Sequence, residues 1–370
     1  MTLFIVSISF IAYTYFGYPA LLVLLARGKH KADRPRFVPQ PVCVVIPAYN
    51  EGSVIAAKIR QVLQSAYPRD LLRVLVVSDG STDNTLSEAR SVADSRVEVL
   101  DGGVRRGKMA TLNLAMELVR EPFAVLTDAG EMLAEHTIAQ LVARLSDPGM
   151  GAVSGELELV SMGNAFSRTL GGYWRYERWI RALEGDVGSV VGATGPIYAL
   201  RRALYRPLPA DTILDDLAIP LEVVAQGYRV GYERQALAFE RATLRSDHEF
   251  ARKRRTLAGN FQTLVRYRRL LRPGSPIAWQ LWSHKVFRLL VPYALVGVLF
   301  GGLMLPPPWA ALVTSGQIAF YGVAAAGALR RPRQVWLSIP YTFCVLNWAA
   351  VVGSYLYVTR QVSARWEKVK

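Results

Sequence analysis

Cysteine is scarce: Cys43 and Cys344 are the only two in 370 residues. No disulfide framework can be built from them, which suits a reducing compartment. The chain also lacks the glycine pattern of a dinucleotide site. A G-x-G-x-x-G turn should follow the first strand, but "IPAYNEGS" (46–53) offers a single glycine. No Walker motif, internal repeat, low-complexity tract or long linker occurs. An NAD enzyme and a P-loop ATPase are therefore unsupported, and nothing indicates an additional module. Acids are outnumbered, with 29 Asp and Glu against 44 Lys and Arg and a net charge of +15. The basic residues sit mostly beside apolar runs. That placement suits anionic headgroups and phosphorylated substrates rather than nucleic acid.

Apolar residues make up 51% of the chain and are unevenly spread. Residues 2–26 form a nearly uncharged run long enough to cross a bilayer, and similar runs occupy about 286–306, 309–329 and 335–357. The first has neither a basic n-region nor a small-residue cleavage site, so it reads as a retained anchor. Arg27, Lys29, Lys31, Arg34 and Arg36 follow it at once. The excess of positive charge on the cytoplasmic side then predicts a multi-pass protein of the inner (plasma) membrane with residues 37–275 in the cytosol. The same rule suits the loop carrying Arg330, Arg331 and Arg333. It does not favour the outside location that four spans give to Arg360, Arg365, Lys368 and Lys370. The expected organisation is an N-terminal spanning helix (1–27), a cytosolic domain (37–240), basic interfacial helices (241–285), C-terminal spanning helices (286–357) and a basic tail (358–370).

Within the cytosolic part, "VCVVIP" (42–47), "RVLVVSD" (73–79), "RVEVL" (96–100) and "FAVLTD" (123–128) read as buried strands. Helical spacing fills 53–66, 83–93 and 108–120 between them. This alternation predicts an α/β doubly wound sheet with ligands at the carboxyl ends of its strands. Those ends carry "PAYNEGS" (47–53), "SDGSTDNT" (78–85), "RRGK" (105–108) and "DAGE" (128–131).

With "GATGPIYALRR" (192–202), "LDDLAIPLEVVAQGYRVGYE" (214–233) and "RKRRTLAGN" (252–260), these pieces form an ordered set. The set resembles the family 2 inverting glycosyltransferases, and the flanking spans resemble the membrane-bound chitin, hyaluronan and cellulose synthase group. The resemblance implies a GT-A type mixed sheet flanked by transmembrane helices, one N-terminal and about three C-terminal. It implies a UDP-sugar donor, a glycan or lipid acceptor, and Mg²⁺ or Mn²⁺ as cofactor.

Roles follow at matching positions. Pro47, Ala48, Tyr49 and Glu51 would receive the nucleotide, and Asp79 would bind the uracil N–H. Asp79 and Asp83 are also good turn and cap residues, and for Asp83 the cap reading holds. Lys108, at a helix start, would meet the diphosphate. Asp128 is the first carboxylate of a D-x-D element that binds the metal, but Gly130 stands where the family has a second ligand. Three readings remain: Asp128 with water suffices, Glu131 substitutes, or donor activation is lost. Asp216 would act as general base, with Asp215 raising its proton affinity. Gly192, Thr194 and Gly195 would line the acceptor.

Arg252 and Arg255 match two basic positions of Q/R-x-x-R-W, while Thr256 replaces the Trp. That change disfavours processive elongation, which with four spans would also call for an oligomer or a secretion partner. Transfer of a single sugar to a polyprenyl phosphate or other lipid is the alternative. A non-catalytic scaffold in a secretion complex would explain Gly130, but the retained Lys108, Asp128, Asp216, Arg252 and Arg255 argue against it. A transporter would need ionisable residues in its spans, where this sequence has almost none.

Overall fold

The structure is a computed structural model that describes residues 1–28, 37–160, 165–241, 246–330 and 335–362. The basic flank 29–36, the loop at 331–334 and most of the basic tail (363–370) lie outside the described residues. Two compact units emerge. One draws on Lys29–Val160 and Glu184–Arg241, the other on Met1–Gly28, Ser161–Leu183 and Ala242–Val362.

The first unit is built on eight strands: β1 (Val42–Ala48), β2 (Leu72–Ser78), β3 (Val97–Asp101), β4 (Phe123–Thr127), β5 (Met132–Leu133), β6 (Met150–Val160), β7 (Ile197–Arg201) and β8 (Arg229–Arg241). They form one sheet in the order β3-β2-β1-β4-β7-β6-β8-β5. β1 and β2 are runs of Val, Ile and Leu buried along almost their whole length, as strands covered on both faces must be. Within β3-β2-β1-β4 every pairing is parallel. At the next neighbour the direction reverses: β7 runs antiparallel to β4, with Thr127 opposite Ile197. The sheet is therefore mixed. This reversal positions the site, because the loop that enters β7 arrives where β4 ends.

The helices of this unit follow the amphipathic spacing of the sequence. α3 (Ile55–Leu63) buries Ile55, Ile59 and Val62, and α6 (Thr137–Leu145) buries Ile138, Leu141, Val142 and Leu145. α4 (Thr85–Arg90), α5 (Lys108–Leu118) and α8 (Asp215–Ala225) complete the set.

The second unit is helical. Four helices among its described residues are long and apolar enough to cross a membrane: Thr2–Arg27, Ala278–Leu303, Trp309–Ala328 and Ser338–Val358. The first comprises α1 (Thr2–Ala12) and α2 (Tyr18–Arg27) joined by a π-helical turn, Tyr13–Gly17. The second comprises α10 (Ala278–Gln280), a π-turn Leu281–Val286 and α11 (Phe287–Leu303). This span starts earlier than the sequence suggests, because His284 and Arg288 find polar partners inside the unit. α12 (Trp309–Arg330) and α13 (Val335–Val358) follow. Gly297 and Gly301 let α1 lie against α11, since a Cβ at Gly301 would stand 2.5 Å from the Phe4 nitrogen. Part of α7 (Ala165–Val187) and α9 (Ser246–Arg266) belong here too.

Candidate active site

Two loops at the carboxyl ends of β1 and β2 are laced together. The Asn50 side chain accepts the Thr82 N–H at 2.8 Å, and the Glu51 N–H reaches Thr85 Oγ1 at 2.8 Å. Asp83 accepts from Thr85 N–H (3.0 Å) and Gly52 N–H (3.2 Å), the cap-like duty read from the sequence. Burial alone would raise its carboxyl, but these hydrogen bonds prevail and hold it below its ordinary value. Pro47 and Ala48 end β1, and the Tyr49 ring has the Arg105 guanidinium 4.1 Å from its centre. Arg105 received no role from the sequence, although a cation beside an aromatic ring is an ordinary pairing.

The Asp79 carboxylate is buried and accepts the N–H groups of Arg106 (2.7 Å) and Gly107 (2.9 and 3.0 Å). It thereby holds the turn that feeds α5. Gly107 caps this helix at φ 97°, a region that side chains rarely enter. Lys108 is thus delivered at the helix start with its ammonium 2.8 Å from Asp128 Oδ1 and 3.3 Å from Asp215 Oδ2. Burial opposes its charge, but Asp128, Asp215 and Asp216 together outweigh that cost and hold the ammonium well above its ordinary value.

Asp215 and Asp216 begin α8. Asp215 is buried and also receives the Tyr198 hydroxyl at 3.3 Å. Burial, with Asp215 and Asp216 nearby, pushes that phenol well above its usual range, so it stays a donor. Asn113, on α5, steadies the approach to α8 by accepting from the Tyr205 hydroxyl (2.7 Å) and the Leu208 N–H (3.1 Å). Pro220 lies inside α8 and has no N–H for the carbonyl four residues back, which is that of Asp216. That carbonyl accepts the Ala193 N–H at 2.7 Å, which ties the "GATG" loop to the helix. Gly195 sits close against this helix, where a Cβ would stand 3.1 Å from Asp216 Oδ2, a tight contact. Gly192 packs on Leu217 in the same way. Thr194 is buried, and its N–H and hydroxyl both meet Ser154 Oγ, at 2.8 and 3.1 Å.

Lys58 is a residue that the sequence reading missed. It is 0% exposed on α3, and its ammonium donates to Thr127 Oγ1 at 2.9 Å and to the Glu131 carbonyl. It therefore clamps the turn that displays Asp128. Burial lowers it to about 8, against the pull of Glu131 and Asp128. The available signal was a lysine on the apolar face of an amphipathic helix. Glu131 Oε2 is buried with no hydrogen-bond partner among the described residues. Burial, then Asp128 and Glu240, push this carboxyl up to about 8. Gly130 is exposed, and nothing lies within 4 Å of a Cβ built there.

Among the described residues no three His, Cys, Asp or Glu side chains converge as a metal cage. The donor set still fits a hard divalent cation. Asp128 offers oxygen at the rim, Glu131 has an unpartnered oxygen, and three carboxylates face one ammonium. The protein would contribute one or two ligands, with a diphosphate and water supplying the rest.

Lys108, Asp128, Asp215 and Asp216 are thus gathered at one rim with Gly192, Thr194 and Gly195. Tyr49 and Glu51 stand at the neighbouring strand end. Arg252 and Arg255 lie on α9 of the helical unit, Arg252 exposed and Arg255 half-buried. Thr256 donates its hydroxyl to the Arg252 carbonyl at 2.9 Å, so it serves its own helix.

Known proteins resemble this chain in sequence and in fold. Residues 43–206 match the family described as Glycosyl transferase family 2. An N-acetylglucosaminyltransferase of Rhizobium meliloti is 25% identical over 62% of this chain and 59% of its own length. A beta-monoglucosyldiacylglycerol synthase of Trichormus variabilis is 22% identical over 96% of this chain and 81% of its own. The chain spans little more than half the length of several such relatives. A mannosyltransferase from Pyrobaculum calidifontis, solved with GDP-Man and Mn²⁺, shares the fold. It covers 97% of this chain and 100% of its own, with a TM-score of 0.73 at 24% identity. These relatives do not narrow the likeness to the chitin, hyaluronan and cellulose synthases. Residues 43–206 thus carry the likeness to glycosyl transferase family 2, on a GT-A type fold accompanied by four membrane-length helices.

Proposed function

We propose that the protein transfers a sugar from a nucleotide diphosphate sugar to an acceptor hydroxyl at a membrane, with inversion at the anomeric carbon. The observation that carries this reading is the Lys108 ammonium held between Asp128 and Asp215, one residue from a second acid at the start of the same helix. The loop Pro47–Glu51 and Asp79 receive the nucleoside. UDP is the favoured nucleotide by resemblance, while the mannosyltransferase solved with GDP-Man makes GDP the competitor. Lys108 binds the diphosphate and stabilises the charge that collects there as the sugar leaves. Asp128, with Glu131 beside it, would hold Mg²⁺ or Mn²⁺, whose role is to neutralise the leaving diphosphate. Asp216 takes the proton of the attacking hydroxyl, and Gly195 keeps the space over that carboxylate open for the acceptor. Asp215, fixed by Lys108 and Tyr198, holds the first turn of α8 in place.

A lipid or lipid-linked acceptor is favoured. The synthase that matches nearly the whole chain carries a diacylglycerol product in its name, and Thr256 removes the aromatic platform expected of a processive enzyme. Purified protein in lipid nanodiscs should release nucleoside diphosphate from one of a panel of UDP-sugars and GDP-mannose with Mn²⁺ or Mg²⁺. Asp216→Asn should slow release by about 10²–10⁴-fold. Release from no donor, or equal release by the variant, overturns the assignment.

A further inference from the structure

Three features converge within the helical unit. First, two spanning helices each carry a π-turn, Tyr13–Gly17 and Leu281–Val286. The two turns face each other, with the Tyr13 hydroxyl 2.8 Å from Ser283 Oγ and the Trp279 indole N–H donating to Tyr13 at 3.0 Å. Such insertions recur at functional sites. Second, charged and titratable side chains meet beside them. Glu177, on α7, is buried, lies 3.0 Å from His284 Nε2 and accepts from Arg288 Nη1. Ionisable groups within apolar spans are expensive and are kept for a purpose. Third, the Arg288 Nε and Nη2 groups are buried, and no acceptor among the described residues meets them in hydrogen-bonding geometry. The indole N–H of Trp174, one turn before Glu177 on α7, is buried in the same condition.

The chemistry of those donors points to the ligand. Nε and Nη2 form the side-on fork of the guanidinium, which matches two oxygens of one phosphate or carboxylate. Glu177 already engages the other edge and fixes the plane of the group. The rings of Tyr176 and Tyr15 flank the guanidinium at 5.6 and 6.0 Å. Lys253 places a further cation 4.6 Å from the Trp174 ring. Unmet guanidinium donors between aromatic rings, on a helix of membrane length, suit a phosphate that arrives attached to an apolar molecule.

We propose that Arg288, oriented by Glu177, is the anchor of a phosphate-binding site in the helical unit, filled by the phosphate of a membrane lipid or by free phosphate. The site does not depend on the glycosyl-transfer reading. Thermal stability of the detergent-purified protein should rise when phosphatidylglycerol is added and stay unchanged with a neutral galactolipid. Arg288→Lys keeps the charge but lacks the fork, and should weaken the phosphatidylglycerol response at least tenfold in midpoint concentration. Lys108→Ala, in the other site, should leave it intact. A shift with inorganic phosphate assigns free phosphate; a shift with phosphatidylglycerol alone assigns the lipid. The proposal is overturned by a response to neither, by an equal response to the galactolipid, by loss of the response in Lys108→Ala, or by full retention in Arg288→Lys. If Arg288→Lys does not fold, native mass spectrometry of the wild type decides. One phosphate-bearing lipid retained per chain through delipidation supports the site, and none retained removes it.

Discussion

Gly130 and Lys58 show how single residues shape the acidic turn. Position 130 is open, so Gly130→Asp adds a second carboxylate without a clash. The variant should lower the Mn²⁺ concentration for half-maximal activity by about tenfold, since ligand charge tunes cation affinity, with no loss in melting temperature. Lys58→Met leaves Thr127 Oγ1 and the Glu131 carbonyl without their donor. Loss of that clamp should cost about 1–3 kcal/mol in urea unfolding. Glu131 also makes stability depend on pH. Its folded value, about 8, lies above the ordinary 4.5. Its contribution is therefore complete below pH 4.5 and is lost as pH rises through about 8. Glu131→Gln should flatten that slope in melting curves recorded across this window. An unchanged slope would show that the turn's titration has another source.

Helices and loops carry the geometry one level up. Asp79 anchors the turn ahead of α5 through the N–H groups of Arg106 and Gly107. Asp79→Ala should lower stability by about 1–3 kcal/mol and raise KM for the donor more than it lowers kcat, because Lys108 is displaced. Gly195→Ala, which crowds Asp216, should do the reverse and lower kcat by about tenfold or more. Equal effects on both constants would mean that the loop serves folding alone. The four parallel strands and their helices were legible because Val-rich runs and 3.6-residue spacing write them directly. So were Lys108, Asp128, Asp215 and Asp216, which stand at strand or helix ends. Lys58 and Tyr198 were not, because a buried polar residue looks like part of an apolar face until its partners, distant in sequence, are known. The antiparallel return of β7 is likewise a matter of long-range pairing and leaves no local periodicity. The roles of Gly297 and Gly301 depend on which helix faces them.

The molecule as a whole divides into a sheet unit and a helical unit. The helical one exposes large apolar side chains, with Phe16 76%, Leu312 61% and Trp348 61% exposed. Surfaces of that kind belong in lipid. The protein should stay in the membrane pellet through alkaline carbonate and high-salt washes and enter solution only with detergent. Release by carbonate alone would mean that the four helices do not span.

The change of strand direction between β4 and β7 has a temporal corollary. Lys108 and Asp128 are synthesised well before Asp215, and the anchoring acid reaches them only after the chain has doubled back across the sheet. On the proposed reading, a chain cut before α8 lacks the Asp215 carboxylate that pairs with Lys108 and should release no nucleoside diphosphate from a sugar donor.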